Sequence, residues 1–366
     1  MSLTGKDIQT GQADMISENI YNEKSCYMEP VRPQAGKTDR GHRDHTSLRR
    51  RSRKRIRKKD RNDLFGNTIS AANDRKKHRR QKMLQINTEM TKRAAELRSE
   101  IIRKHPLVHC ITNRVTITDC ANALLAVGAS PVMSEDLREV EEMASLGQAL
   151  VLNIGTLFPD QVEAMILAGK QAKKKGIPVI FDPVGAGATK LRNDVSDRIL
   201  REVSPDIIRG NMSEIRALYG FEGSTKGVDA DVADLITMEN AEKAAVIVRE
   251  LAERTHAVVA ATGAVDIISD GRKTVFVANG HEMLCMITGS GCMLTVLTAG
   301  FAGAAPDNLL SAVTAAFVLM GISGETAYAE TKKEGKGVGT FHTFLIDRLM
   351  LTDSAEIAEK AKIYTA

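Results

Sequence analysis

The 366-residue chain contains no tryptophan, and only 4% of its residues are aromatic. A core built from this composition is aliphatic and draws on Ala, Val, Ile, Leu and Met. No apolar run is apparent that approaches the roughly 20 residues of a membrane-spanning helix. The N-terminus, with Lys6, Asp7, Asp14 and Glu18, has no hydrophobic region typical of a signal peptide. We therefore expect no membrane partner.

Cysteine is scarce and its number is odd. The five cysteines contain no CxxC pair and lie at Cys26, Cys110, Cys120, Cys285 and Cys292. This pattern argues against a disulfide framework and against a zinc site, and it favours reduced thiols in a cytoplasmic setting. His109 beside Cys110 could suggest metal ligands, but no second pair at ligand spacing supports it.

Positive charge is concentrated at the N-terminus. Residues 1–82 contain 22 Lys/Arg and 10 Asp/Glu, whereas residues 83–366 contain 29 Lys/Arg and 36 Asp/Glu. We predict that residues 1–85 are a disordered basic extension and that residues 86–366 form the folded domain. The basic run at 49–59 could bind a nucleic-acid backbone. Without aromatic interleaving or a nucleic-acid module, a dispensable extension is favoured, with Met83 or Met90 as alternative starts.

The remaining sequence alternates short apolar runs with helix-like segments. Strands are predicted at 107–111, 149–154, 178–181, 206–208 and 257–261, and helices at 91–105, 119–127, 160–175, 193–202, 241–254 and 311–331. This alternation predicts an α/β fold with a mostly parallel sheet covered by helices on both faces. Residues 267–277 differ, because an Asp270-Gly271 turn between two apolar runs indicates an antiparallel hairpin at the sheet edge. Ligands in such folds bind at the carboxyl ends of the strands.

A glycine-rich segment leads into an apolar helix near the C-terminal third of the chain. Its sequence is Thr288-Gly289-Ser290-Gly291-Cys292. Gly289, Ser290 and Gly291 predict an anion hole, because open amides and a helix N-terminus stabilise a phosphate or an oxyanion. At this position we expect the Cys292 thiol to have a lowered pKa and to act as a base. A small packed cysteine after an ordinary turn is the competing interpretation.

Polar residues follow several predicted strands. Asp182, before Pro183 and a Gly185-Ala186-Gly187 turn, could hold Mg²⁺ directly or through water. Arg209 could clamp phosphates, and Glu214 falls in the first turn of the next helix. Asn211 or Ser213 could equally cap that helix, with Glu214 favouring its dipole.

Three further strand ends carry weaker signals. Thr262, before Gly263, could meet a nucleotide through its hydroxyl. Asn113 can exchange hydrogen bonds with a polar heterocycle. Met133 offers a polarizable side chain to an aromatic ligand, although by itself it is ordinary core.

Taken in order, these segments resemble the hydroxyethylthiazole kinases, the thiamine-pathway members of the ribokinase-like superfamily. The resemblance covers about residues 90–350. It rests on His109-Cys110-Ile111-Thr112-Asn113, Gly128-Ala129-Ser130-Pro131-Val132-Met133, Leu152-Asn153-Ile154-Gly155-Thr156, Asp182-Pro183-Val184-Gly185-Ala186-Gly187, Arg209-Gly210-Asn211, Lys226-Gly227-Val228-Asp229 and the segment ending at Cys292. Ala264 departs from the family pattern, which often has Glu there.

The resemblance implies ATP-dependent phosphorylation of the primary alcohol of 4-methyl-5-(2-hydroxyethyl)thiazole. It implies that Asn113, Met133 and Gly289 hold the thiazole and that Arg209 and Thr262 contact ATP. It further implies that Asp182 and Glu214 organise Mg²⁺ and that Cys292 replaces the Asp base of related sugar kinases. A homotrimer with active sites shared between subunits is also implied.

Three other interpretations stay open at this point. A hydroxymethylpyrimidine or pyridoxal kinase-like enzyme also has a glycine-rich loop before a helix, but the segments ending at Asn113 and Met133 argue against it. A ribokinase-like dehydratase that repairs hydrated nicotinamide cofactors would be expected to keep Asp at position 292. A nucleic-acid-binding protein would depend on the basic extension and bind in a strongly salt-dependent way.

Overall fold

The structure, a computed structural model, describes residues 85–220 and 236–365. The predicted basic extension and the motif at 226–229 lie outside this part of the chain.

Ten strands of the described residues form one mixed sheet. In chain order they are β1 (Gln85–Ile86), β2 (Leu107–Ile111), β3 (Ser130–Val132), β4 (Ala149–Asn153), β5 (Val179–Asp182), β6 (Ile207–Asn211), β7 (Val258–Thr262), β8 (Asp266–Ser269), β9 (Thr274–Val277) and β10 (Ile363–Thr365). Their order across the sheet is β1-β10-β9-β8-β7-β6-β5-β4-β2-β3. The six strands β2 to β7 pair in parallel with one another, and the pairs β7–β8, β8–β9, β9–β10 and β10–β1 are antiparallel.

Eleven α-helices of the described residues surround this sheet. They are α1 (Thr88–Lys104), α2 (Ile117–Ala126), α3 (Val140–Leu146), α4 (Pro159–Lys175), α5 (Lys190–Glu202), α6 (Met212–Gly220), α7 (Ala241–Thr255), α8 (Ser290–Ala304), α9 (Leu309–Lys333), α10 (Val338–Leu351) and α11 (Ser354–Lys360). A 3₁₀ turn at Glu282–Met286 precedes α8.

The central strands are apolar because both of their faces are covered. Val108, Cys110 and Val151 pack into one cluster with the buried helices α8 and α9. Alternate residues such as Leu150 and Phe181 are equally buried but outside that cluster, toward α4 and its neighbours. Since successive strand residues point to opposite faces, this pattern requires helices on both sides. The predicted fold class is confirmed.

The hairpin predicted around the Asp-Gly turn is formed by β8 and β9. Gly271 has φ of 86° in that turn, a conformation that suits glycine. The short strands β10 and β1 pair beyond β9, so the antiparallel edge is wider than the hairpin alone. β10 follows the C-terminal helices, and pairing of this kind between distant segments leaves little local signal in a sequence.

Helix α9 corrects the expectation that no apolar run is long enough to cross a bilayer. It has 25 residues and a mean hydropathy of 1.5 over 18 of them, and 83% of that window is buried inside the fold. The helix packs against α1, α8 and α10. A helix that is apolar on all sides is typical of a core position as well as of a membrane span.

Candidate active site

The N-terminus of α8 opens the candidate site. Gly289 caps the helix with φ of 83°, in the left-handed region that favours glycine. A Cβ at this position would also lie 2.6 Å from Thr116 Cγ2. The first N–H groups of a helix have no intrahelical acceptor, so Ser290, Gly291 and Cys292 present donors here. The predicted anion hole therefore has the required backbone.

The Cys292 thiol is held by two side-chain amides. Asn113 Nδ2 donates to its Sγ at 2.9 Å, and Asn153 Nδ2 donates at 3.3 Å. Asn113 follows β2 and Asn153 ends β4, so two strand ends meet the first turn of α8. The thiol is nearly buried, with the residue 8% exposed.

The predicted low pKa of Cys292 is wrong for this structure. Burial, with the negative charge of Asp182 as a second cause, raises its pKa to about 11. The local rule for cysteines at helix N-termini assumes partial solvent exposure, and here desolvation of the thiolate prevails. Cys292 is therefore a protonated thiol at neutral pH in the ligand-free protein.

The carboxylate of Asp182 lies beside this cysteine, at the end of β5. Its Oδ2 accepts hydrogen bonds from Asn153 Nδ2 and from Thr295 Oγ1, both at 2.7 Å. Arg209 Nη1 lies 3.8 Å from the same oxygen. Asp182 is fully buried, and a buried charge requires such partners.

The guanidinium of Arg209 extends from β6 across the start of α8. Its Nη2 donates to Thr262 Oγ1 at 3.2 Å, so the two predicted ATP-binding residues are in contact. A Cβ on Gly291 would lie 2.8 Å from Arg209 Nη1, so only glycine leaves room for the guanidinium there. A cation and a helix N-terminus side by side form a site for a phosphate anion.

Glu214 both caps a helix and carries a buried charge. Its backbone N–H donates to Asn211 Oδ1, and its Oε2 accepts from Asn211 N–H at 2.7 Å, a reciprocal cap at the start of α6. Asn211 is thus the capping residue rather than Ser213. Oε1 accepts from Gly185 N–H at 2.8 Å. Burial, followed by the charge of Asp182, raises the pKa of Glu214 to about 7.

The carboxylates of Asp182 and Glu214 are suited to bind a hydrated cation. The charge of Asp182 disfavours the ionised form of Glu214, and a divalent ion between them would relieve that repulsion. In the described part of the chain, no group of three or more His, Cys, Asp and Glu side chains is arranged to hold a metal ion. Mg²⁺ commonly binds through one or two carboxylates together with water and phosphate oxygens.

The predicted thiazole-binding residues lie on the β2–β3 side of this cluster. Asn113 Oδ1 accepts hydrogen bonds from Val115 N, Thr116 N and Thr116 Oγ1, which fixes the turn into α2. Met133 follows β3, next to β2, and is half-buried against the core. The backbone of Gly289 lies close to the same Thr116, since a Cβ on Gly289 would lie 3.0 Å from Thr116 Cβ.

Three residues without a predicted role complete the site. Asn153 and Thr295 bind Asp182, as described above. Arg192 on α5 donates to the carbonyl groups of Ile154, Val184 and Gly155, which joins the turns that follow β4 and β5. Asn153 stood within a segment that carried the family resemblance. Thr295 and Arg192 gave no signal, because their partners are distant in sequence.

Comparison with known proteins places this geometry in a family. The family model described as the hydroxyethylthiazole kinase family matches residues 98–354. A hydroxyethylthiazole kinase of Clostridium botulinum (strain Eklund 17B) is 50% identical over 277 residues, which cover 76% of this chain and 98% of that protein. The solved structure of a hydroxyethylthiazole kinase from Pyrococcus horikoshii OT3 is 41% identical, with a TM-score of 0.67 over 75% of this chain and 98% of that one.

A more distant structure supports the fold alone. A ribokinase-like superfamily protein from Enterococcus faecalis is 12% identical, with a TM-score of 0.50 over 72% of this chain and 94% of that one. The resemblance identified from the strand-end motifs is confirmed. With the family model and a close relative both spanning most of its length, the chain belongs to the hydroxyethylthiazole kinase family.

Proposed function

We propose that the protein transfers the γ-phosphoryl group of ATP to the primary alcohol of 4-methyl-5-(2-hydroxyethyl)thiazole. Family membership supports this activity. The observation that carries it is the convergence of Cys292, Arg209 and Asp182 at the N-terminus of α8. An anion site, a buried carboxylate and a proton acceptor are the groups that alcohol phosphorylation requires.

On the nucleotide side, Arg209 and the amides of Gly289, Ser290 and Gly291 neutralise phosphate charge. Thr262 restrains the Arg209 guanidinium through a hydrogen bond and borders the nucleotide. Because phosphoryl transfer has a loose transition state, positioning and charge neutralisation supply most of the acceleration. Loss of Arg209 or Asp182 therefore reduces the rate more than loss of Cys292.

On the acceptor side, Met133 and Gly289 border the thiazole ring. The amide of Asn113 is already engaged by Cys292, Asn153 and the turn into α2. It therefore contributes mainly by orienting Cys292 beside the substrate alcohol. Neutral, partly apolar surroundings of this kind suit an uncharged heterocycle.

In the reaction, the alcohol oxygen forms a bond to the γ-phosphorus while the bond to the leaving ADP oxygen breaks. The alcohol proton passes to the Sγ of the ionised Cys292. In a loose transition state this proton leaves late, when the partly bonded oxygen has become acidic. A small ionised fraction of a thiol with a pKa of about 11 can then serve as the base.

Asp182 and Glu214 would hold Mg²⁺, which would neutralise negative charge on the phosphates. Two carboxylates leave most of its ligands to water and phosphate oxygens. Since burial raises the pKa of Glu214 to about 7, protons compete with the cation for this site below neutral pH.

We also propose a cytoplasmic homotrimer whose active sites are shared between subunits, with residues 86–366 as the kinase domain. Cys110, Cys120 and Cys292 are free thiols, as expected of a reducing compartment.

A Cys292→Ala variant mixed with a Met133→Ala variant tests whether active sites are shared between subunits. Regained activity in refolded mixtures supports sites built from two subunits, and the absence of any gain contradicts it.

The activity is tested with the full chain, ATP and Mg²⁺. Hydroxyethylthiazole is offered in one reaction and hydroxymethylpyrimidine in another, and phosphorylated product is measured by mass spectrometry. Product from the thiazole alone supports the proposal. Product from the pyrimidine alone would keep the fold and the anion hole but reject the substrate. Omission of Mg²⁺ is expected to abolish turnover.

A further inference from the structure

Asn153 occupies a distinctive place between the two reactive groups of the site. Its Nδ2 donates to Asp182 Oδ2 at 2.7 Å and to Cys292 Sγ at 3.3 Å. We propose that Asn153 is a positioning residue that acts through Cys292, holding its sulfur beside the Asp182 carboxylate in the orientation needed to accept the alcohol proton. This inference rests on the proposed kinase function.

The orientation of the Asn153 amide follows from its other contacts. Its Oδ1 accepts from the backbone N–H of Gly155 at 2.9 Å and from Asn113 Nδ2 at 3.3 Å. Both of those groups are donors, so an oxygen must face them. The Nδ2 group is therefore turned toward Asp182 and Cys292. Its two N–H groups can donate to the carboxylate oxygen and to the sulfur.

The Asn153 amide lies between the Asp182 carboxylate and the sulfur that would become negative on ionisation. The charge of Asp182 opposes ionisation of Cys292 because both groups are buried. A neutral amide between them donates to the carboxylate and to the sulfur at once, so it stabilises both ionised forms. It also limits rotation of the thiol away from the acceptor alcohol. Asn153 is completely buried and cannot contact bulk water instead.

Thr295 provides a matched control within the same network. Its Oγ1 donates to the same Asp182 oxygen at the same distance of 2.7 Å. Its side chain has no hydrogen bond to Cys292 among the contacts of the described residues. A Thr295→Val variant therefore removes one donor to Asp182 and leaves the amide donors to the sulfur in place.

The test is a double-mutant cycle. Asn153→Asp keeps the oxygen that accepts from Gly155 and Asn113 but replaces the donor nitrogen. Values of kcat and KM for both substrates are measured for this variant and for Thr295→Val, each in the native and the Cys292→Ala backgrounds. A residue that acts through Cys292 loses its effect once the thiol is removed.

We expect Asn153→Asp to lower kcat at least tenfold in the native background and less than threefold in the Cys292→Ala background. The KM for the thiazole should change less than threefold in both. Thr295→Val should lower kcat by a similar factor in both backgrounds. Equal effects of Asn153→Asp in the two backgrounds would overturn the proposal and assign Asn153 to the Asp182 side alone.

A second measurement does not depend on turnover. The rate at which iodoacetamide alkylates Cys292, followed by peptide mass spectrometry at fixed pH, reports its reactivity. We expect at least a fivefold slower reaction in Asn153→Asp and a change below twofold in Thr295→Val. An unchanged rate in Asn153→Asp would contradict the proposal. Because Asn153→Asp also adds a carboxylate near Cys292, the uncharged Asn153→Leu variant is measured in the same way, and it should give the same pattern if the lost donor is the cause.

Failure of this inference is distinguishable from failure of the kinase assignment. A native protein that phosphorylates no thiazole alcohol would reject the proposed function. A native protein that does so, but whose Asn153 and Cys292 variants have independent effects on kcat, would reject the positioning role alone.

Discussion

At the scale of single residues, Cys292 is subject to opposing influences. Burial and Asp182 favour the neutral thiol, whereas two amide donors and the N-terminus of α8 favour the thiolate. Its pKa of about 11 shows that the first pair prevails in the ligand-free protein. The rate of the proposed reaction should therefore increase between pH 7 and pH 9, as the ionised fraction grows.

Substitution of Cys292 tests its role as the base. Cys292→Ala should lower kcat roughly 100-fold, at the low end for a general base because the transition state is loose. Cys292→Asp should stay within roughly tenfold of the native kcat, because the two amides that bind Sγ can also bind a carboxylate. Its kcat should depend less on pH above 7. A faster Ala variant than Asp variant would reject the base role.

Gly291 tests the placement of Arg209. In Gly291→Ala the added Cβ would lie 2.8 Å from Arg209 Nη1, so the guanidinium must move away from the start of α8. We expect the KM for ATP to rise roughly tenfold, which corresponds to about 1.4 kcal/mol of binding, with little change for the thiazole.

The control for Gly291→Ala is Gly339→Ala on α10, where a Cβ would meet no atom within 4 Å. Both variants place alanine, a better helix former than glycine, in a helix. An equal rise of the KM for ATP in both would show that the effect does not come from Arg209.

At the scale of secondary-structure elements, local patterns predicted most of the fold. The buried strands, the Asp-Gly hairpin and the long helices each follow from short-range periodicity or turn chemistry. Elements that are defined by pairing between distant segments, such as β10, could not be predicted from local patterns. The same division holds in the site: strand ends indicated Asp182 and Arg209, but Thr295 looked like an ordinary helix residue. The Cys292 pKa was mispredicted because burial is a property of the assembled elements.

Arg98 shows how such assembly creates a structural residue without a sequence signal. It lies on α1, is 2% exposed, and donates to the carbonyl groups of Val127, Leu349, Met350 and Thr352. These carbonyls belong to the C-terminal ends of α2 and α10, where acceptors lack intrahelical donors. One guanidinium therefore joins three helices.

We predict that Arg98→Lys lowers the free energy of unfolding by about 2–4 kcal/mol, because lysine cannot satisfy the same set of carbonyl groups. Urea denaturation at fixed protein concentration measures this. The exposed Arg103 on the same helix is the control, and Arg103→Lys should change the free energy by less than about 0.5 kcal/mol. Comparable losses in both variants would contradict the assigned role.

At the scale of the whole molecule, two buried carboxyl groups make stability depend on pH. Burial raises the pKa of Glu214 and of Asp266 to about 7 each. Their unfolded pKa values lie near 4, so between about pH 4 and pH 7 the folded protein holds protons that the unfolded chain has released. Unfolding then releases protons, and the free energy of unfolding falls as pH rises through this window.

Glu214 and Asp266 should accordingly make the protein without ligands less stable at pH 8 than at pH 5. The active site gives a reason for tolerating this cost. In the proposed function, the charges of the cluster around Glu214 would be neutralised by a bound cation and phosphates.

Asp266→Asn isolates one of these groups. Asp266 Oδ1 accepts from Gly263 N–H at 3.0 Å, and an asparagine oxygen can keep that bond while removing the buried charge. We expect the advantage of the variant over the native protein to grow by up to roughly 3 kcal/mol between pH 5 and pH 8, because each pH unit below the folded pKa of about 7 contributes about 1.4 kcal/mol. Urea denaturation without ligands at both pH values measures the difference.

Asp347, exposed on α10, supplies the control. Asp347→Asn should shift the stability by a similar small amount at pH 5 and at pH 8, because solvent screens its charge in both states. If Asp266→Asn also shifted stability equally at the two pH values, its effect would come from altered packing or hydrogen bonding. The buried charge at the start of β8 would then not be the source of the pH dependence.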